Sequence, residues 1–379
     1  MRASRPLIAG VIALASVAVL PTAAFAAPAP PANPNASDHS AVIGENSLRA
    51  LADEAGIKIG VAVNTDLLAT NGKYRNIVNT QFSSVTPENV MKWETVEPTR
   101  GVYNWAPAEA LIANAQANGQ VVRGHTLVWH NQLPTWLTSG NFSPAELRSI
   151  LEDHVKTVAS HFAGRIQQWD VVNEIFADDG TFRQTIFSQA YAALGLSAEQ
   201  YIGDVFRWAH EADPHALLFY NDYNLEFTGP KSNAAYAFVQ KLLAAGVPID
   251  GVGFQGHLDT QYGYPDLQNN LQRFADLGLQ VALTEVDIRT FVTKKNNGTY
   301  TNTPADPAEG AQQVDWWAQT LEACLAVEAC TSYTVWGVSD ANSWIPGVFT
   351  GQGAGLLFDD HNNPKPQYDA LREVLRNAA

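Results

Sequence analysis

Two glutamates, Glu174 and Glu285, sit at or near the ends of apolar runs where a charged group is unusual: Ile166–Glu174 and Gln280–Ile288. A pair of carboxyl groups can divide the work of hydrolysis. One, protonated, assists a departing oxygen; the other, ionised, attacks or activates water. The two must then differ in proton affinity. Proximity raises it in one, and hydrogen-bond donors lower it in the other, with His257 a candidate donor to Glu285. An arbitrary glutamate is more often a surface or salt-bridged group, but these two have Asn173 and Asp287 as near neighbours on strand-like ends, which reverses that expectation.

The elements that would position them recur along the chain. Short apolar runs cover Ile57–Asn64, Ser83–Asn89, Val121–His130, Ile166–Glu174, Ala216–Asn224, Gly251–Leu258, Gln280–Ile288 and Ser332–Asp340. Their ends are spaced by about 39 residues, room for a strand, a loop and a helix. Between them, Ser143-Pro144-Ala145-Glu146 and Asp306-Pro307-Ala308-Glu309 each combine a capping residue, a first-turn Pro and a Glu that reaches back. After the first, Leu147, Ile150, Leu151, Val155, Val158 and Phe162 follow the helical period, so one face packs on a sheet. Eight strand–helix units predict an α/β fold, a single (β/α)8 TIM barrel over residues 41–379.

In that fold the C-terminal strand ends ring one mouth, where chemistry sits. The runs end in Glu88-Asn89, His125 to Trp129, Asn173-Glu174, Asn221-Asp222, Gln255 and His257, Glu285 and Asp287, and Trp336. Period two puts Gln255 with His257, Glu285 with Asp287, and Arg123 with His125, Leu127 and Trp129 on shared faces. Adjacent Asn173 and Glu174 cannot both point inward along a regular strand, and the sequence does not say which leaves it. The chain holds ten tryptophans. Sugar rings have apolar C–H faces and polar rims, so flat aromatics beside Asn, Gln, His and Lys would suit them. Trp129, Trp336 and Trp344 are platform candidates, whereas Trp208, Trp316 and Trp317 lie in helical patterns and are expected in the core.

These residues carry a resemblance to glycoside hydrolase family 10, the endo-β-1,4-xylanase family, from about Glu45 to Val374. The motifs are TPENVMKWE at 86–94, RGHTLVWHNQLPTW at 123–136, WDVVNE at 169–174, NDYN at 221–224, GFQGHL at 253–258, TEVDI at 284–288 and TVWGVSDANSW at 334–344. The resemblance implies that Glu174 is the acid/base and Glu285 the nucleophile of a retaining enzyme. It likewise implies that Glu88, Asn89, Lys92, His125, Trp129, Asn173, Gln255, His257, Trp336 and Trp344 line the sugar sites next to the scissile bond, with Asp287 supporting them. The carboxylate chemistry would serve any β-1,4 glycan; the resemblance selects xylan and xylo-oligosaccharides as partners.

Composition bounds the rest. With 38 Asp+Glu against 23 Lys+Arg the formal charge is −15, so a nucleic-acid partner is not expected. Arg2 and Arg5, an apolar run to Leu20 and Ala24-Phe25-Ala26 read as a signal peptide over 1–26. Its removal leads to a secreted, extracellular protein with no membrane association, and a monomer is expected. Residues 27–40 read as a disordered Pro/Ala tether. In an oxidising compartment Cys324 and Cys330 are expected to pair. His210-Glu211 and His215 miss the spacing of a metalloprotease helix, and Gly351, Gly353 and Gly355 have no following βαβ unit, so neither metal nor cofactor is expected. Arg289–Pro304 reads as a long polar loop.

Overall fold

The computed structural model describes residues 40–378; the expected signal peptide and nearly all of the tether lie outside them. Eleven strands follow in chain order: β1 (Lys58–Val63), β2 (Ser84–Pro87), β3 (Val121–Val128), β4 (Gln168–Asn173), β5 (Leu217–Asp222), β6 (Gly251–Phe254), β7 (His257–Asp259), β8 (Gln280–Lys294), β9 (Tyr300–Pro304), β10 (Cys330–Val335) and β11 (Gln352–Gly353). Strands β1 to β6 pair in sequence order, β8 follows β6, and β10 joins β8 back to β1. All these pairings are parallel, so the sheet closes into the eight-stranded (β/α)8 barrel that the repeating runs predict.

Helices cover the outside. The segment 143–161 folds as expected: Ser143 and Glu146 form a reciprocal capping box on the helix Pro144–His161. Its Leu151, Val155 and Val158 are buried against the sheet. Each contributes about 1.5–3 kcal/mol relative to exposure, so the apolar face, more than the cap, fixes the helix. At the helix Pro307–Leu325 the cap is simpler than the sequence suggests. Asp306 accepts from the Ala308 N–H, but Glu309 does not reach back; its carboxylate accepts instead from the Thr290 hydroxyl at 2.9 Å. Trp208, Trp316 and Trp317 are core residues. Cys324 and Cys330 form a disulfide with Cα atoms 5.4 Å apart, at the N-terminal end of β10 and so away from the mouth.

Three further sequence expectations change. The run Gly251–Leu258 divides at Gln255-Gly256, where Gly256 has φ 77° and interrupts the extended chain. On β3 the alternation does not carry from His125 to Trp129. His125 faces Asp170 and Val128 faces Val172, three steps against two, so one extra residue shifts the faces. Residues 289–304 are a β-hairpin arm, not a loop: β8 runs on to Lys294, turns, and returns as antiparallel β9. Asn297-Gly298 sits in the turn, with Gly298 at φ 88° and the Lys295 N–H bonded to Thr299 O at 2.7 Å. Val292, Thr293, Thr299, Tyr300 and Thr301 flank it with β-favouring side chains, which makes the pairing stable although the segment is polar.

Candidate active site

Each candidate side chain is set by where its strand stops. Glu174 is the first residue past β4, and its φ of 57° turns it out of the pleat while its N–H still bonds to Asn221 O at 2.9 Å. Asn173 is therefore the one inside the strand. It reaches the interior because β4 carries a bulge between Asp170 and Val172, opposite only Phe219 and Tyr220 of β5. Glu285 lies mid-way along β8 and is buried, with its N–H on Gln255 O at 2.8 Å.

An amide chain joins the two carboxylates. Gln255 Nε2 donates to Glu174 Oε1 at 3.2 Å and to Asn173 Oδ1 at 3.3 Å. Asn221 Nδ2 donates to Asn173 Oδ1 at 2.9 Å and to Glu285 Oε1 at 2.7 Å. The Glu285 carboxylate, which only accepts, fixes the direction of the Asn221 amide, and the Thr284 hydroxyl donates to its Oδ1 at 2.6 Å. Gly253 faces the same amide: a Cβ there would lie 2.4 Å from Asn221 Oδ1, so a side chain would push it away.

The two carboxyl groups sit in opposite electrostatic settings. Burial raises the proton affinity of Glu174 and the nearby charge of Asp222 raises it further, against hydrogen bonds from Trp129 Nε1 (2.8 Å to Oε2) and Gln255. Burial also opposes ionisation of Glu285, but here it loses. The hydrogen bond from His257 (3.3 Å), the charge on that ring and the Arg123 guanidinium 3.7 Å away hold the carboxyl down to about 2. His257 in turn lies with Nδ1 3.0 Å from Asp287 Oδ2. Burial disfavours its charge, yet Asp287 and Glu285 outweigh burial and raise it to about 10, so it is an imidazolium at neutral pH. The two carboxyl groups are thus pushed in opposite directions, Glu174 toward its protonated form and Glu285 toward its ionised one.

The remaining predicted residues gather at this mouth. Buried Lys92 donates to Asn89 Oδ1 at 3.1 Å and stands 5.0 Å from the Trp129 ring centroid. Burial lowers its proton affinity, while Glu285, Glu88 and Glu174 push it back up. Burial raises Glu88 toward its neutral form, opposed by Lys92. His125 is buried, which favours the neutral ring, and its Nδ1 lies 2.8 Å from Asp170 Oδ2. Trp336 packs edge-on against His125 with centroids 5.2 Å apart. Trp344 packs at 4.9 Å against His257 and donates its indole N–H to Asp287 Oδ2 at 2.7 Å.

Four residues given no role from the sequence prove central. Arg123 runs beneath the site, bonded through Nε to Asp170 Oδ1 at 3.2 Å and through a terminal nitrogen to Thr284 O at 2.9 Å. His125, Asp170 and Glu285 bring three ligand-type atoms within 4.8 Å of one another. The guanidinium already supplies the positive charge there, so the cluster reads as an ion-pair network. Asp170 shares the face of Glu174 when β4 is counted in twos, a signal that could have found it; Asn221 is visible as a strand-end polar residue. Lys231, in the first turn of the helix Pro230–Ala244, lies 2.7 Å from Asp222 Oδ1. Nothing local in Gly229-Pro230-Lys231 signals that contact.

The model of the family described as "Glycosyl hydrolase family 10" matches residues 47–374. Endo-1,4-beta-xylanase B of Thermotoga neapolitana is 45% identical over 331 residues, covering 86% of this chain and 91% of its own. Endo-1,4-beta-xylanase C of Phanerodontia chrysosporium is 40% identical, over 86% of this chain and 78% of its own. Among solved structures, xylanase 10B of Thermotoga petrophila in complex with xylobiose superposes with a TM-score of 0.80 at 42% identity, covering 87% of this chain and 97% of that one.

Proposed function

The chain belongs to glycosyl hydrolase family 10, and from that premise we propose that Glu174 is the acid/base and Glu285 the nucleophile of its double displacement. The reaction is endo-hydrolysis of β-1,4-xylosidic bonds in xylan with retention of configuration. What carries the assignment is the opposed setting of the two groups: Glu174 pushed toward its protonated form by burial and Asp222, Glu285 held ionised by His257 and Arg123.

In the first step Glu285 attacks the anomeric carbon while the Glu174 proton passes to the departing glycosidic oxygen, leaving a glycosyl ester and an ionised Glu174. In the second, Glu174 takes a proton from water, the hydroxide oxygen bonds to the anomeric carbon, and Glu285 departs as carboxylate. Asn221 holds the Glu285 carboxylate in place through its 2.7 Å bond to Oε1. Trp129, Trp336 and Trp344 offer ring faces to xylose, and Glu88, Asn89, Lys92, His125, Asn173, Gln255 and His257 offer polar atoms for its hydroxyls. We further infer that the enzyme is exported, loses its leader, stays free of the membrane and acts as a monomer on xylan and xylo-oligosaccharides. The disulfide supports export, and no helix among the described residues is long and apolar enough to cross a membrane.

The roles are separated by substitution. Glu285→Ala should lose several orders of magnitude in kcat on every substrate. Glu174→Ala should lose far more on xylan than on an aryl xylobioside with an acidic phenol, which should give a phenol burst and then a slow phase accelerated by azide. Equal losses on both substrates, with no burst and no azide effect, would overturn the acid/base assignment.

A further inference from the structure

Beside Glu174 lies a second buried carboxylate that the double displacement does not use. Asp222 ends β5, one residue after Asn221, whose register partner is Asn173, so it abuts the chain at Glu174. It is fully buried, and donors converge on it from several elements. The Tyr220 hydroxyl donates to Oδ2 at 2.5 Å, the Tyr223 N–H to Oδ1 at 2.9 Å and the Phe176 N–H to Oδ2 at 3.4 Å. Lys231 Nζ completes the set, 2.7 Å from Oδ1. That ammonium is buried too, 3.1 Å from the Tyr223 ring centroid and 3.7 Å from Asp178. A buried ion pair is a weak source of stability, because desolvation offsets most of the attraction. Its position next to Glu174 gives it another use.

We propose that Asp222 and Lys231 are positioning residues that tune the proton held by Glu174, the carboxylate favouring its retention and the ammonium its release. The proposal rests on Glu174 being the acid/base. A charge at one remove acts without touching substrate: it shifts when Glu174 gives up its proton, and so the pH range in which the acid form is ready. Burial raises the proton affinity of Asp222, and the Lys231 charge with the Tyr220 and Phe176 donors opposes it; the tuning acts through its ionised form. After burial, the charge of Asp222 is the largest influence raising Glu174, and Lys231 opposes it.

Other groups also face Glu174. From the end of β3 come the Trp129 N–H and His130, whose Nδ1 lies 3.9 Å away and which burial holds neutral, down to about 3. Gln255 approaches after β6. Lys92 comes from the loop after β2, and Tyr220 and Tyr223 from β5 and just beyond it. Arg183 binds the Glu174 carbonyl oxygen at 2.8 Å. Asp222 and Lys231 carry opposite signs, so their removal moves the titration in opposite directions. Lost packing cannot do that.

The test is the alkaline limb of kcat/KM for an aryl xylobioside of intermediate phenol acidity, whose midpoint does not depend on how much of a variant folds. Asp222→Asn should move the limb to lower pH, and Lys231→Met to higher pH, each by about one unit. Lys231→Arg should restore the original position. If both neutral variants leave the limb in place, or move it the same way, the tuning is wrong. Glu174→Gln keeps that outcome apart from a failure of the catalytic assignment: it should abolish the limb, and a limb that survives it rejects Glu174 as the acid/base. Should Asp222→Asn not fold, the direction of the Lys231→Met shift alone decides.

Discussion

The His257 ring lies 3.3 Å from the Glu285 carboxylate and 3.0 Å from that of Asp287, between two acceptors two residues apart on one face of β8. A shared imidazolium is the result, raised to about 10, and it is the main reason that Glu285 stays ionised despite burial. Aligned on one pleat, the two carboxylates flank the ring, Glu285 hydrogen-bonded to Nε2 and Asp287 ion-paired at Nδ1.

Replacing His257 by Asn should therefore move the acid limb of kcat/KM. With Glu285 as the proposed nucleophile, that limb reports its carboxyl, held at about 2 in the native enzyme. Without the ring it should rise by about one to two units, into a readily measured range. A pH profile with the acid limb unmoved would show that the groups other than His257, Arg123 and the Asn221 N–H among them, suffice to hold Glu285 ionised.

The same ring has a stability consequence. His257 is raised on folding, so its contribution is fully present below the unfolded value of about 6.5 and is lost as pH rises through about 10. Denaturant midpoints of the native enzyme and His257→Asn should converge as pH passes about 10. A constant difference from pH 6 to 11 would refute the linkage.

Beneath the site, Asp170 compensates Arg123 and accepts from His125 Nδ1. Asp170→Asn leaves a buried guanidinium short of a partner, and should cost about 3–5 kcal/mol in urea unfolding. A loss below 1 kcal/mol, on the order of a surface pair, would mean that Glu285 and Thr284 O suffice for Arg123.

The proposed attack by Glu285 fixes a stereochemical outcome. Two displacements at one carbon return the β configuration, so an NMR time course should show β-xylo-oligosaccharide first. An α first product would reject Glu285 as nucleophile.

At the opposite end of the barrel, the 324–330 disulfide should affect stability and not chemistry. A closed loop of about seven residues is worth roughly 2.4 kcal/mol by chain entropy, and Cys330 begins β10 at the end remote from Trp336. The double Ser variant should unfold at lower urea concentration with kcat unchanged; a fall in kcat at full folding would link this end of β10 to the mouth.

Much of this protein is legible in one dimension because barrel strands and helices follow short-range periods. Eight apolar runs, the capped helix at Ser143, the core position of Trp317 and the polar residues at the strand ends all follow from spacing, since pleat and helix repeat within a few residues. Even the hairpin arm left its trace in Asn297-Gly298, though its many polar residues read as loop. What the spacing could not supply is which side chains of different strands meet. That depends on register and on where a strand is interrupted: the β4 bulge turns Asn173 inward, the positive φ of Glu174 lifts it out of the pleat, and Gly256 breaks the strand between Gln255 and His257. Lys231 reaches Asp222 from a helix that follows β5, a contact that no local pattern encodes. Sequence thus singled out the two carboxylates; the unequal charges packed around them, brought from strands far apart in the chain, push one toward its proton and the other away from it.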